Sequence, residues 1–308
     1  MTQPRVLIGL LGANIMGSLS PALFADAFAA AGIDGFYHLM DVDRLQGRQL
    51  PKLLNAIRTT GFAGTTITYP FKQDVIPLLD ALDPGAAQTG AVNTVKFAAD
   101  GHTTGYNFDR PGWRLAFEET IGRSSAQAAT VVLVGAGGAG RAVGFALMDL
   151  DVASLVIHDR DGVRANGLKD DIARHYGSSR CRVAGDLDEE IAAAGGVVNA
   201  TQTGMHGFPG NPVPAAAMTA AHWCADVIYT PIETEFLRVA AAKGARTING
   251  GGMCVHQAAE AFRLFTGIDA DTSRLHRAFA KALAVRDAAT GAPSAAQALA
   301  GLPGELGG

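Results

Sequence analysis

The stretch Val131-Val132-Leu133-Val134-Gly135-Ala136-Gly137-Gly138-Ala139-Gly140-Arg141 decides how this chain is read. Four apolar residues, three of them β-branched, suit a strand buried on both faces of a parallel sheet. Gly135, Gly137 and Gly140 then follow with G-x-G-x-x-G spacing. Glycines so placed permit a tight turn, a close approach of backbone N–H groups to a pyrophosphate, and close packing of the next helix on the strand. A phosphate there sits on the helix N-terminus, where unpaired N–H groups and the dipole favour negative charge. The next strand is predicted over Ser154-Leu155-Val156-Ile157-His158-Asp159. Its terminal acid lies 19 residues beyond Gly140, about where a carboxylate meets the ribose hydroxyls of a dinucleotide.

The rest of the composition agrees with a two-domain α/β chain. Its 308 residues are 48% hydrophobic and 18% charged, enough for two globular cores. The 38 glycines gather at strand ends without a fixed period, which argues for many tight strand-to-helix turns. A net charge of −4 offers no basic footprint for nucleic acid. No run reaches the roughly 18 apolar residues of a membrane helix, and Val6 to Leu11 is read as a first strand rather than a leader. Cys181, Cys224 and Cys254 lack C-x-x-C spacing, so a reducing cytoplasm is expected, with no disulfide framework or zinc site. His102, His206, His222 and His256 are scattered, and no metal is expected.

N-terminal to the glycine loop, a strand over Val6–Leu11 leads to Ser18-Leu19-Ser20-Pro21. Ser20 is expected to cap a helix that has Pro21 just inside its start and ends at Gly32. Ser18 and Ser20 thus fall at a strand-to-helix junction, the side of an α/β sheet where ligands bind. A strand at Phe36–Val42 and a helix at Arg48–Thr60 lead to a strand at Phe62–Thr68. That strand ends at Pro70 and delivers Lys72, either to the same edge or as a surface lysine opening a helix through Pro77. A strand over Ala91–Phe97 turns at Asp100-Gly101 into a hairpin. Asp109 could simply cap the amphipathic helix through Trp113 and Phe117.

The composition of Ile121 to Ala129 marks a linker. Beyond it, strands near Cys181–Ala184, Gly196–Thr201, Cys224–Tyr229 and Ala245–Asn249 complete a six-stranded doubly wound sheet. Gly250 to Gln257 opens a helix, a second follows at about Ser273–Ala288, and the tail after about 290 is expected to be flexible.

Seven segments occur in order: Ser18-Leu19-Ser20-Pro21, Gly64 to Lys72, Gly90-Ala91-Val92-Asn93-Thr94, Asn107-Phe108-Asp109, Gly135 to Gly140, Asn199-Ala200-Thr201 with Gly204-Met205, and Gly251-Gly252-Met253 with Gln257. Together they resemble the shikimate dehydrogenase family, including its quinate/shikimate branch, over about residues 6 to 288. The resemblance implies an N-terminal, mostly parallel substrate domain (1–122), a Rossmann domain (123–249), and C-terminal helices (250–308) returning to the first domain. It implies NAD- or NADP-linked interconversion of a ring hydroxyl and a ketone in shikimate or quinate. Lys72 and Asp109 match the family's catalytic pair. Ser18 and Ser20 would bind the substrate carboxylate, Asn93 and Gln257 the ring hydroxyls, with Thr68 and Tyr229 in support. Gly135, Ala136, Gly137, Gly138, Ala139, Asp159, Arg160, Asn199, Thr201, Gly204, Met205 and Gly252 would serve the cofactor.

Oxidising a secondary alcohol needs a base for its proton, which a lysine held by an aspartate can supply. Neutral Ser, Asn and Gln suit a small hydroxylated ring carboxylate. Asp159, with Asp161, would repel a 2′-phosphate, so NAD is expected over NADP, while Arg160 leaves NADP open. The chain departs from the family at Thr66, where an asparagine is usual, and at Phe108, which replaces a smaller or polar residue; both bear on substrate choice. An aminoshikimate-type or other ring-acid dehydrogenase, and a non-catalytic nucleotide or shikimate sensor, are the alternatives. A monomer or homodimer is expected.

Overall fold

Val131, Val132, Leu133 and Val134 are all buried, and strands hydrogen-bond on both sides of them. A residue covered on both faces contributes its apolar area in full, about 1.5–3 kcal/mol for each such side chain. The protein is described as a computed structural model covering residues 5–44 and 49–290. The expected start of the second helix at Arg48 and the tail after 290 lie outside the described residues.

The first half carries β1 (Arg5–Gly12), α1 (Ser20–Ala31), β2 (Asp34–Asp41), α2 (Leu50–Thr59), β3 (Gly64–Ile67), β4 (Ala81–Leu82), α3 (Pro84–Thr89), β5 (Thr94–Phe97), β6 (Thr103–Tyr106) and α4 (Asp109–Thr120). Its sheet runs β2-β1-β3-β5-β6-β4, and β5 alone opposes the rest. The second half carries β7 (Thr130–Val134), α5 (Gly138–Asp149), β8 (Ser154–His158), α6 (Gly162–Tyr176), β9 (Cys181–Val183), α7 (Leu187–Ala193), β10 (Gly196–Asn199), β11 (Trp223–Asp226), α8 (Glu235–Ala242) and β12 (Arg246–Ile248). These strands form one parallel sheet in the order β12-β11-β10-β7-β8-β9. The order reverses at β7, which opens a crevice at the carboxyl ends of β7 and β10. This is the α/β, doubly wound arrangement the sequence implied.

Two helices follow, α9 (Gly251–Thr266) and α10 (Thr272–Thr290). Cys254, Val255, Ala258 and Phe262 of α9, with Leu275 and Phe279 of α10, share a core with Leu23, Phe24 and Phe28 of α1 and with Ile8 and Tyr37 of the first sheet. The C-terminal helices therefore do return to the first half. Helix α4 joins the halves from the other side. Its Trp113, Ala116 and Phe117 enter the core of the second sheet, and Phe117 meets Trp223 edge-on at 4.7 Å.

Four local expectations change. Ser20 is the first helical residue rather than the cap: the cap position falls on Leu19, which offers no side-chain hydrogen bond, while Ser18 Oγ accepts the Ser20 N–H at 3.3 Å. Asp109 likewise begins α4 without capping it. The segment with Pro77 makes only a single 3-10 turn at Ile76–Leu78. The stretch from Ile121 to Ala129 is no loose linker. Ala126 is fully buried, Trp223 Nε1 donates to the Ser125 carbonyl at 3.1 Å, and Arg246 donates to the Ile121 carbonyl at 3.2 Å.

Candidate active site

Lys72 is set by the turn that follows β3. Its carbonyl accepts the Val92 N–H at 2.7 Å, which ties the turn to the start of β5. From there its ammonium reaches Asp109 Oδ2 at 2.6 Å, and the Asp109 side chain is only 1% exposed. A buried carboxylate needs its remaining lone pairs satisfied. Asn93 supplies that, donating through Nδ2 to Asp109 Oδ1 and to Gln257 Oε1, each at 2.9 Å. Asn93 Oδ1 in turn accepts the Phe108 N–H at 2.9 Å and the Thr94 hydroxyl at 3.1 Å. Lys72, Asp109, Asn93 and Gln257 thus form one chain of hydrogen bonds assembled from the turn after β3, the residue that precedes β5, α4 and α9.

A second polar group adjoins it. Ser18 Oγ lies 3.4 Å from Tyr229 Oη, and Tyr37 Oη pairs with Thr66 Oγ1. Thr66 Oγ1 also donates to the Gly9 carbonyl at 3.1 Å, so the threonine that departs from the family pattern is held on the sheet by Tyr37 and Gly9. Burial pushes the Tyr37 and Tyr229 phenols well up and the Cys254 thiol up to about 11; all three stay protonated at neutral pH. Ser20 and Gln257 adjoin the Cys254 thiol. Tyr37 and Cys254 were not anticipated as site residues. Cys254 does carry a signal, since it stands three residues before Gln257 on one helix face; Tyr37 in mid-strand carries none. Thr68 leaves β3 with its N–H on the Leu11 carbonyl at 3.0 Å. The Phe108 ring stacks on Tyr106 with centroids 5.8 Å apart.

Across the crevice, Gly135 has a φ of +106°, which favours glycine, and a Cβ there would lie 2.8 Å from the Ala200 carbonyl. A Cβ on Gly137 would meet nothing within 4 Å, so this part of the loop is open to a ligand. Asp159 Oδ2 accepts the Ala136 N–H at 2.7 Å, which seats the carboxylate beside the loop, and Oδ1 accepts the Asp161 N–H at 2.9 Å. Asp161 caps α6 and is turned to its own helix. Arg160 is exposed. Gln202 Nε2, in the turn after β10, is buried without a hydrogen-bond partner, a donor with room for a ligand acceptor. The open glycine loop, the acid and this donor fit a dinucleotide.

Two residues expected at the cofactor are engaged elsewhere. Asn199 is fully buried. Its Nδ2 donates to the Thr203 carbonyl at 3.1 Å and to the Asp226 carboxylate at 3.2 Å, and its Oδ1 accepts both N–H and hydroxyl of Thr201. Its side chain shapes the turn that carries Thr201, Gly204 and Met205. Gly252 lies in α9, where a Cβ would come within 2.8 Å of Ala116 Cβ; its smallness lets α9 pack on α4.

The two halves meet at the site. A Cβ on Gly138 would lie 2.6 Å from Lys72 Cβ, so the lysine stem runs against the first turn of α5. Asn14 Nδ2 donates to the His206 carbonyl at 2.9 Å, and Arg110, next to Asp109, grips Asp149 of α5 with two bonds of 2.7 Å. His256 is buried in α9, with Nε2 2.9 Å from Glu119 Oε2.

A dinucleotide crevice facing a lysine–aspartate pair across two sheets defines a two-domain dehydrogenase. The comparisons narrow this. Residues 10–95 match the shikimate dehydrogenase substrate binding domain, and residues 250–278 match the shikimate 5'-dehydrogenase C-terminal domain. A quinate/shikimate dehydrogenase (NAD(+)) of Corynebacterium efficiens is 44% identical over 91% of this chain and 99% of its own. A shikimate dehydrogenase (NADP(+)) of Streptomyces avermitilis is 43% identical over 89% of this chain and 95% of its own. The structure of quinate dehydrogenase from Corynebacterium glutamicum in complex with NAD superposes with a TM-score of 0.82 at 42% identity, covering 91% of this chain and all of that one. The chain belongs to the shikimate dehydrogenase family.

Proposed function

We propose that this enzyme is an NAD-dependent oxidoreductase that interconverts shikimate with 3-dehydroshikimate, quinate with 3-dehydroquinate, or both. The observation that carries the reading is the 2.6 Å Lys72–Asp109 pair standing against Gly138 of the dinucleotide loop. The relatives named for NAD and quinate support it. NAD, when bound, supplies the hydride acceptor. Lys72 Nζ, once deprotonated to the neutral amine, takes the hydroxyl proton as the alcohol is oxidised, and the ammonium so formed returns it on reduction. Asp109 fixes the lysine, and Asn93 fixes Asp109 from behind. Gln257 and Thr68 face the ring hydroxyls, with Asn93 contributing through Gln257. Ser18 and Ser20 receive the carboxylate, backed by Tyr229.

The functional division then runs through a substrate half, about residues 1–122 with the helices after 250, and a cofactor half, about 123–249. Gly135 to Ala139, Thr201, Gly204 and Met205 border the cofactor, Asn199 acts through the turn it shapes, and Asp159 selects NAD by accepting from the ribose and repelling a 2′-phosphate. The test is a matrix of shikimate and quinate against NAD and NADP, reporting kcat/KM for each pair. Highest values with NAD are expected. A protein that binds NAD but reduces it with neither acid would overturn the reading in favour of a sensor.

A further inference from the structure

Away from the crevice, three helices bring metal-ligating side chains to one point. Glu119 ends α4, His256 lies inside α9 and His276 sits near the start of α10. Glu119 Oε2 is 2.9 Å from His256 Nε2 and 3.8 Å from His276 Nε2, and one donor atom from each residue falls within 4.8 Å of the others. The two imidazoles are 5.5 Å apart and nearly perpendicular, at 77°. A hydrogen bond explains why His256 meets Glu119. It does not account for a second imidazole nitrogen 3.8 Å from the same oxygen.

From this convergence we infer that Glu119, His256 and His276 form a structural site for a late first-row divalent cation such as Zn2+. Tetrahedral zinc holds nitrogen and carboxylate donors at about 2.0–2.2 Å, which sets neighbouring donors roughly 3.3 Å apart. The observed 2.9 and 3.8 Å bracket that spacing. Two imidazoles and one carboxylate favour zinc over calcium or magnesium, which take oxygen donors. The ion enters from solvent, because the Glu119 and His276 side chains are 54% and 42% exposed, while the 5% exposed His256 fixes the inner position. Water completes the fourth position.

The site is separate from the chemistry. Asp109 and Glu119 stand at opposite ends of α4, ten residues or about 15 Å apart. An ion there would tie the end of α4 to α9 and α10, bracing the helices that present Asp109 and Gln257.

The test uses untagged full-length protein stripped with chelator, titrated with Zn2+ by calorimetry and with Co2+ by visible absorption. One ion per chain with tetrahedral Co2+ bands is expected, together with a Tm that climbs as Zn2+ is added. His276→Ala and Glu119→Gln, both at half-exposed positions, should each weaken binding by at least about tenfold and abolish the Tm response, since losing even a group that only hydrogen-bonds to a ligand costs roughly that much. Absence of binding, or binding of unchanged strength in both variants, would overturn the assignment.

Discussion

Lys72 and Gly138 touch across the crevice: a Cβ on the glycine would lie 2.6 Å from Lys72 Cβ and 3.2 Å from its Cδ. The first residue of α5 is thus the wall against which Lys72 is set. Gly138→Ala should push the lysine stem or part the two halves. A misplacement of about 1 Å costs up to roughly a hundredfold in rate, so kcat should fall by that order while Tm changes little. Steady-state kinetics beside thermal melting decide it; unchanged kcat would mean the lysine and the loop do not meet during turnover.

The Lys72–Asp109 pair is predicted to act as a unit. Lys72→Ala and Asp109→Asn should each lower kcat by about 10²–10⁴-fold, the usual contribution of a positioned acid–base group. NAD binding, followed by fluorescence titration, should persist in both, because the glycine loop and Asp159 stay in place. Full activity in either variant would remove that residue from the mechanism.

Asp159 sits on the Ala136 N–H, within the glycine-rich turn after β7. Asp159→Ser should lower kcat/KM for NAD by about tenfold or more, the worth of a charge-assisted hydrogen bond, and raise it for NADP. The ratio of the two constants is the readout. A ratio that stays put would shift cofactor choice to other residues.

Asp226 lies under the turn after β10, accepting from Ile228 N–H, the Thr234 hydroxyl and Asn199 Nδ2. Burial outweighs these donors and raises its carboxyl to about 6. The folded protein therefore holds more protons here than the unfolded chain between about pH 4 and 6, and the linkage makes stability fall as pH rises through that window. The loss from this group is about 3 kcal/mol at most. Urea unfolding at pH 4 to 7 should show Asp226→Asn lacking this decline, so that its stability relative to the wild type rises with pH. Parallel curves would show that the Asp226 carboxyl titrates alike in the folded and unfolded chain.

What was legible in the sequence is what the chain encodes locally. Val131 to Gly140 announces its own strand, turn and helix, and the hairpin at Asp100-Gly101 does the same. Lys72 and Asp109 are 37 residues apart; only the ordered set of family-like segments joined them. Where composition was the guide, distant partners overruled it. Ile121 to Ala129 reads as a linker until Trp223 and Arg246, about a hundred residues on, hydrogen-bond to it. Ser20 has the right neighbour in Pro21 for a cap, yet the helix starts one residue earlier and the cap position falls on Leu19. Asn199 lies in a cofactor-type motif, but Asp226 claims its amide from the next strand. The Glu119, His256 and His276 cluster has no spacing to detect, because three separate helices must dock before it exists.

Cys181, Cys224 and Cys254 are all the thiols of this chain, and all are buried. Burial raises each of them, Cys224 to about 12, so little reactive thiolate forms at neutral pH. The native sequence is therefore a silent background for site-directed labelling. Cysteines introduced at Phe36 on the edge strand β2 and at Val163 at the start of α6, 63% and 83% exposed, would be the groups a maleimide dye reaches. A dye pair at those two positions, one on each half, turns the crevice into an optical ruler that reads in single molecules whether its width changes during turnover.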